Sequence, residues 1–170
     1  FKINNLHKKK LNYLEIGVFE GRSSVFVLEN LPLANCDFVD PFEEYSEMTN
    51  STNQTNFDLI YENFMNNIEK FNDRSNVHIK NSKSFFKTNN NYYDLIYVDG
   101  SHFGEDVYKD AVSSFKYLNK KGHIIFDDFF WFFFDKIEQN PLGGIFQFLI
   151  ENKDLLKIKY VGTQLIIQKK

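Results

Sequence analysis

The chain has 170 residues, 42% of them hydrophobic, which is enough for one domain with a full core. Its net charge of −3 argues against the basic surface of nucleic-acid-binding proteins, so no nucleic-acid partner is expected. No run of about 18 apolar residues occurs, which excludes a typical transmembrane helix. The single cysteine excludes an intrachain disulfide framework and favours a reducing, cytoplasmic setting.

Apolar runs alternate with amphipathic segments of helical length, a pattern typical of α/β proteins with a mainly parallel sheet. Strands are predicted at residues 13–16, 37–39, 77–80, 95–98 and 123–126, followed by a closing hairpin at 155–161 and 164–168. Helices are predicted at residues 23–30, 57–71, 105–118 and 142–152, and loops at 43–56 and 87–91. We therefore expect a seven-stranded, mainly parallel sheet with a C-terminal antiparallel hairpin and helices on both faces, forming one domain over residues 1–170.

A glycine-containing turn follows the first predicted strand. Gly17 and Gly21 allow a tight turn and a close approach to a ligand, with Phe19 and Ser23 in the same turn. Glu15 precedes them, and a carboxylate there would repel a phosphate group. The turn therefore favours a ligand with cationic and hydroxyl groups and no phosphate, and S-adenosylmethionine (SAM) has these properties.

Residues after the second and third strands complete a predicted nucleoside site. Asp40 ends the second strand, where an acid in dinucleotide-binding folds takes the ribose hydroxyls. The alternative is a turn aspartate that precedes Pro41. Phe42 would flank the adenine ring, and Ser82 would meet its edge unless it is only a turn serine.

Three carboxylates, Asp99, Asp127 and Asp128, follow the fourth and fifth strands. Carboxylates that converge on one sheet edge repel each other unless a cation neutralises them. Oxygen ligands favour Mg²⁺, or Mn²⁺ or Ca²⁺. The alternative is that Asp128 caps a following helix and that Asp127 binds nothing.

His102 follows Asp99 after a tight glycine turn. A neutral imidazole at this place could take a proton from a substrate hydroxyl, could be an additional metal ligand, or could be structural. Beyond the last acids lies the aromatic run, defined here as residues 129–134. Six consecutive aromatic residues cannot all face one core, so we expect some to line the substrate entrance, cover the site or form a homo-oligomer contact. Burial of the run under the last helix is the alternative.

Three segments together resemble motifs of the class I SAM-dependent methyltransferases. They are residues 15–24 (EIGVFEGRSS), 94–102 (DLIYVDGSH) and 122–128 (GHIIFDD). The later two are similar to those of the metal-dependent O-methyltransferases of the catechol and macrolide-sugar types. The resemblance extends from about Leu11 to the end of the chain and implies a Rossmann-like fold.

The resemblance also implies roles for individual residues. The cofactor-binding positions are Glu15, Gly17, Phe19, Gly21, Ser23, Asp40, Phe42, Ser82 and Asp99, of which Glu15 and Gly17 lie at the methionine end. The Mg²⁺ positions are Asp99, Asp127 and Asp128, and the catalytic positions are Asp99 and His102. Catechol-type enzymes have asparagine in place of Asp128 and lysine in place of His102. The helices that usually precede the first strand are nearly absent and the chain does not begin with Met, so we expect this region to be short or truncated.

The expected function is SAM-dependent O-methylation of a hydroxyl on a sugar, a glycan or another small diol, assisted by Mg²⁺. A metal-dependent phosphoester hydrolase and a non-catalytic module that binds the cofactor or a partner are the alternatives. An NAD-dependent enzyme is disfavoured because the turn lacks the G-x-G-x-x-G phosphate-binding pattern.

Overall fold

The computed structural model describes residues 6–43 and 56–170. The strands are β1 (Leu11–Ile16), β2 (Ala34–Asp40), β3 (Ser75–Ile79), β4 (Tyr93–Val98), β5 (Leu118–Phe126), β6 (Leu156–Val161) and β7 (Leu165–Lys169). The α-helices are α1 (Arg22–Asn30), α2 (Phe57–Ile68), α3 (Ser82–Thr88), α4 (Gly104–Tyr117) and α5 (Pro141–Asn152). None of the helices in these ranges is both long and apolar enough to cross a membrane.

The seven strands form one sheet in the order β3-β2-β1-β4-β5-β7-β6. The five strands β1 to β5 are parallel, whereas β7 runs antiparallel to both β5 and β6. This arrangement confirms the predicted sheet and its C-terminal hairpin. Because the carboxyl ends of parallel strands lie at one edge, the residues that follow β1, β2, β4 and β5 are brought together there.

Helices cover both faces of the sheet, as predicted. Alternate residues of β1 point to opposite faces, so Leu14 and Ile16 join one core cluster, while Leu11 and Tyr13 join the other. The first cluster includes side chains of α3, α4 and α5, and the second includes side chains of α1 and α2.

The short helix α3 was not predicted. Its N-cap is Asn81, whose side chain accepts a hydrogen bond of 2.9 Å from the backbone N–H of Ser84. The helix buries only Phe85 and Phe86, so its apolar pattern is too short to show helical periodicity. It also takes in the beginning of the loop predicted at residues 87–91.

Three other boundaries differ from the prediction by three residues or more. Helix α2 ends at Ile68 rather than at residue 71, because Phe71 has non-helical backbone angles within a 3₁₀ turn at Glu69–Arg74. Strand β5 begins at Leu118 rather than at residue 123, and β2 begins at Ala34 rather than at residue 37. Most of the loop predicted at residues 43–56 lies outside the described residues.

Candidate functional site

A cavity of about 1560 Å³ lies at the edge of the sheet where β1, β2 and β4 end. Its wall contains most of the residues that the sequence singled out after those strands and after β3 and β5. They are Gly17, Phe19, Ser23, Asp40, Phe42, Ser82, Asp99 and Asp127. The fold therefore brings residues from five separate chain segments to one cavity.

The turn after β1 requires glycine at position 17. Gly17 has φ = 81°, and a Cβ atom there would lie 2.0 Å from the carbonyl oxygen of Asp99. Glycine thus lets the end of β1 approach the end of β4. Gly21 also has a positive φ, but its missing Cβ makes room for the ring of Phe64, and Gly21 does not line the cavity. Its predicted contact with the cofactor stays a prediction.

Backbone N–H groups hold the carboxylate of Asp40 in place. Its Oδ2 atom accepts hydrogen bonds from the backbone of Val18 (2.9 Å) and Phe19 (3.1 Å), and its Oδ1 atom accepts one from Phe42 (2.8 Å). Phe19 and Phe42 have φ values of 48° and 49°, an uncommon conformation for aromatic residues. Such strain is often found at ligand sites. Carboxylate oxygens accept more than one hydrogen bond each, so Asp40 can also bind a diol.

Glu15 is completely buried beside the cavity rather than in its wall. Its carboxylate accepts hydrogen bonds from the hydroxyls of Tyr13 (3.0 Å) and Ser23. Burial raises the pKa of Glu15 to about 7, although these hydrogen bonds oppose the shift. Ser23 lines the cavity and can contact a ligand there. Glu15 would act on the ligand through its hydrogen bond with Ser23.

Three side chains beyond β4 and β5 form a group that could hold a metal ion. One donor atom each of Asp99, His102 and Asp128 lies within 4.8 Å of the others. The Nε2 atom of His102 lies 2.9 Å from Oδ2 of Asp128, and the ring of Trp131 lies 4.5 Å from the imidazole ring. We call Asp99, His102 and Asp128 the donor triad.

Asp127, which the sequence also predicted as a metal ligand, is held differently. Its carboxylate accepts hydrogen bonds from the Tyr97 hydroxyl and from the backbone N–H of Asp128 (2.9 Å). Gln164 in turn donates to the Tyr97 oxygen (3.2 Å). Among the described residues, the structure groups His102 rather than Asp127 with the other two acids, and the metal contact of Asp127 stays a prediction.

The chemistry of the donor triad fits a divalent cation. Burial and the negative charges of Asp127 and Asp128 raise the pKa of Asp99 to about 8. A cation would offset this repulsion. The carboxylate oxygens suit Mg²⁺ or Mn²⁺, whereas the imidazole nitrogen suits Fe²⁺ or Zn²⁺.

The aromatic run is divided between the core and the surface. Phe129 is 3% exposed and belongs to the core, whereas Phe130 and Phe132 are each 53% exposed and Phe133 is 70% exposed. Trp131 packs on His102. The run therefore anchors at Phe129, contacts the donor triad through Trp131 and leaves three rings accessible to solvent.

The sequence analysis missed a buried residue that holds the aromatic run. Asn140 is completely buried, and its side-chain oxygen accepts from the backbone N–H groups of Phe133 (2.9 Å) and Phe134 (3.0 Å). Its amide donates to the carbonyls of Phe134 (2.8 Å) and Lys136 (2.7 Å). An asparagine directly before Pro141 at a helix start was the available signal, but that signal predicts only a helix N-terminus.

Asp110 is a second residue that the analysis missed. It lies on α4, is 6% exposed and lines the cavity. Its signal was an acid within the buried stripe of α4, between Val107 and Ser114.

Comparison with known proteins agrees with this geometry. A family described as "Methyltransferase domain" matches residues 14–129, which include the glycine turn and all three triad residues. An uncharacterized protein of Acanthamoeba polyphaga mimivirus is 34% identical over an alignment of 134 residues, and the match covers 74% of this chain. This chain spans 55% of that relative's length.

Solved structures share the fold at low sequence identity. The O-methyltransferase TomG of Streptomyces achromogenes, involved in tomaymycin synthesis and bound to SAM, has a TM-score of 0.69 at 12% identity, over 98% of this chain and 77% of that one. An O-methyltransferase of Bacillus cereus bound to S-adenosylhomocysteine (SAH) has a TM-score of 0.69 at 16% identity, over 98% and 78%. SAH-bound methyltransferase PaMTH1 of Podospora anserina has a TM-score of 0.67 at 18% identity, over 99% and 76%.

The family match covers more than half of the chain, and the solved structures share its sheet and helices. The resemblance seen in the sequence motifs is thereby confirmed. The chain has the class I SAM-dependent methyltransferase fold and belongs to the methyltransferase-domain family.

Proposed function

We propose that this chain is a SAM-dependent O-methyltransferase that acts on a hydroxyl of a sugar, a glycan or another small diol with the help of a divalent cation, Mg²⁺. One observation carries the proposal: Asp99 lies both in the wall of the cavity that contains the glycine turn and the anchored Asp40 carboxylate and in the donor triad. The first part suits a nucleoside, and the second suits a hydroxyl that must lose its proton.

The cavity fits the cofactor in size and in charge. Its volume of about 1560 Å³ exceeds the roughly 300–1,000 Å³ typical of one small-molecule site, so it has room for a cofactor and an acceptor. When bound, SAM supplies a methyl group from its sulfonium to the acceptor oxygen. Asp40 would accept hydrogen bonds from the ribose hydroxyls, and Ser23 and the buried Glu15 would face the cationic methionine part.

Asp99, His102 and Asp128 would hold the cation, which supplies positive charge that lowers the pKa of a bound hydroxyl. Mg²⁺ is the ion that the two carboxylates favour. Carboxylate oxygens also suit Mn²⁺, which is therefore the competing ion.

The chain's own groups can also move the proton. Asp128 pairs with Nε2 of His102 and orients the imidazole ring, while Trp131 packs against it. If the two carboxylates alone hold the cation, the neutral imidazole of His102 can instead take a proton from an acceptor hydroxyl. The Tyr97 hydroxyl donates to Asp127 and holds the carboxylate of Asp127 in place near His102.

The acceptor class rests on the surroundings of the donor triad. Trp131 packs on His102, and the exposed ring of Phe133 stacks on Trp131. Aromatic faces pack well against the flat faces of sugars and catechols. Two vicinal hydroxyls on either compound could bind one cation together. The O-methyltransferases from Streptomyces achromogenes and Bacillus cereus support transfer to oxygen by analogy of fold.

Calorimetry with SAM, with and without Mg²⁺ or Mn²⁺, tests the proposal, together with methyl transfer from labelled SAM to a panel of sugars and catechols. We expect SAM binding, and transfer that requires the cation and is lost in Asp99→Asn. The matched control is Asp94→Asn, an acid at the opposite end of β4. No SAM binding under either condition would reject the proposal.

A phosphatase assay and the methyl-transfer assay together separate the alternatives. Phosphate release from a phosphoester that survives Glu15→Ala would support a hydrolase. SAM binding without transfer to any acceptor, unaffected by Asp99→Asn, would support a non-catalytic module.

A further inference from the structure

The buried acid Asp110 lies in the wall of the cofactor cavity but has no part in the function proposed above. It is located on α4, only 6% of it is exposed, and its Oδ2 atom lies 3.9 Å from the position that a Cβ would take on Gly100. Gly100 follows Asp99 at the end of β4. The Asp110 carboxylate is therefore next to the edge of the sheet where the cofactor would bind.

Within the described residues, Asp110 has a hydroxyl partner but forms no ion pair. The Ser82 side chain hydrogen-bonds to it, which joins α3 to α4. The adjacent Lys109 is exposed and pairs instead with Glu105 (2.8 Å) and Asp106 (3.5 Å). Burial raises the pKa of Asp110 to about 7, as expected for a carboxylate without a cationic partner.

A carboxylate that accepts from one hydroxyl can accept further hydrogen bonds from a ligand in the cavity. A buried carboxylate oxygen without a donor costs free energy. A bound ligand can supply the missing N–H or O–H donors. The position of Ser82 indicates which part of the ligand this is. Ser82 follows β3, the neighbour of β2, whose terminal Asp40 is the predicted ribose acceptor. The Asp110–Ser82 pair thus lies beside the ribose position, where the base of a nucleoside would be.

We propose that Asp110 accepts a hydrogen bond from the exocyclic amino group of adenine and thereby selects an adenine nucleoside over a 6-oxopurine nucleoside. This inference rests on the proposed SAM binding. Adenine presents an N–H donor at position 6, whereas hypoxanthine presents a carbonyl oxygen that a carboxylate repels. Ser82 positions the Asp110 carboxylate by donating to it.

Calorimetry with two ligands tests the inference on the unmodified protein. SAH carries the 6-amino group, and S-inosylhomocysteine carries a 6-oxo group in its place. At pH 8, above the pKa of Asp110, we expect SAH to bind about tenfold to a hundredfold more tightly, the range for a hydrogen bond to a charged group. Equal affinity of the unmodified protein for both ligands would overturn the inference without any variant.

The variant Asp110→Asn has nearly the same shape and can donate to a 6-oxo group. We expect it to bind SAH about tenfold more weakly and to prefer SAH over the inosine analogue by less than about threefold. Asp106→Asn is the control, because Asp106 lines the same cavity from the same helix but is half exposed. A folded Asp110→Asn protein that keeps the full preference would reject the role of Asp110. Failure of the unmodified protein to bind SAH at all would instead reject the proposed function.

Discussion

Buried carboxyl groups are concentrated around the candidate site. Glu15 and Asp110 are both less than a tenth exposed, and burial raises the pKa of each to about 7. Asp99, between them at the end of β4, has a pKa of about 8. A core without a function would gain stability by replacing such groups with apolar side chains, so their retention agrees with a site for a cationic ligand.

Glu15→Gln should change how stability depends on pH. The pKa of Glu15 rises from 4.5 to about 7 on folding, so between these pH values the folded protein keeps a proton that the unfolded chain has lost. The free energy of unfolding therefore decreases as pH rises through this window, by about 3 kcal/mol at most, and this loss is absent in the glutamine variant. Urea unfolding at pH 5 and pH 8 should show the variant gaining on the unmodified protein at the higher pH.

Glu29→Gln is the matched control, because Glu29 is a half-exposed acid on α1. We expect its pH profile to follow that of the unmodified protein. Parallel profiles for Glu15→Gln as well would contradict the burial-driven shift.

The segment between β5 and α5 depends on one side chain for its shape. It contains the aromatic run and has no strand or α-helix. Its own backbone groups make some hydrogen bonds, such as that from Trp131 to Asp128, and side chains must supply others. Asn140 supplies four of them. This segment carries Trp131, which packs on the imidazole of the donor triad.

Asn140→Ala should therefore disturb the site as well as lower stability. Loss of four buried hydrogen bonds leaves backbone groups unsatisfied, and we expect the free energy of unfolding to fall by about 2–4 kcal/mol. Trp131 is the single tryptophan, so its fluorescence reports directly on this segment. We expect its emission to shift to longer wavelength in the folded variant as the indole becomes more exposed.

Asn30→Ala provides the comparison, since Asn30 is exposed and makes one hydrogen bond to the carbonyl of Phe26. Its effect should stay within about 0.5 kcal/mol, the usual range for surface changes. An Asn140→Ala protein with unchanged stability and unchanged fluorescence would show that the segment holds its shape without this side chain.

Taken as a unit, the molecule exposes large apolar side chains in the aromatic run, whose Trp131 packs on the donor triad. Phe130, Phe132 and Phe133 are each at least half exposed, whereas Phe129 is buried in the core. If copies of the chain associate through the aromatic run, these three rings form the contact, and Phe129 does not. An exposed aromatic patch of this kind is typical of an interface or of a substrate entrance.

Self-association can be measured by light scattering over a range of protein concentrations. We expect the unmodified chain to increase in mass with concentration and the double variant Phe132→Ser/Phe133→Ser to remain at the mass of one chain. Phe146→Ser is the control, because Phe146 is similarly exposed but lies on α5. A constant monomer mass for the unmodified chain would assign the exposed rings to the substrate entrance alone.

Much of the fold could be predicted because the signals are local. The strand β4 and the turn after β1 depend on a short apolar run and on glycine, and both act over a few neighbouring residues. Placement of Asp40 and Asp99 at one edge followed from parallel strand order, without any knowledge of side-chain contacts. The short helix α3 escaped prediction because its cap, Asn81, and two apolar residues are too few to distinguish it from a turn.

The details of the site depend on contacts between distant parts of the chain. Asp127 and Asp128 are adjacent and chemically identical in the sequence, yet Tyr97 holds the first, while His102 pairs with the second. Likewise, nothing local to Asp110 indicates that Ser82 meets it across two helices. Hydrophobic periodicity identifies which face of an element is buried, but which polar partner a side chain finds depends on packing of the whole sheet and its helices. The residue types and the edge at which they gather are thus properties of the sequence, and the assignment of each acid to a partner is a property of the folded molecule.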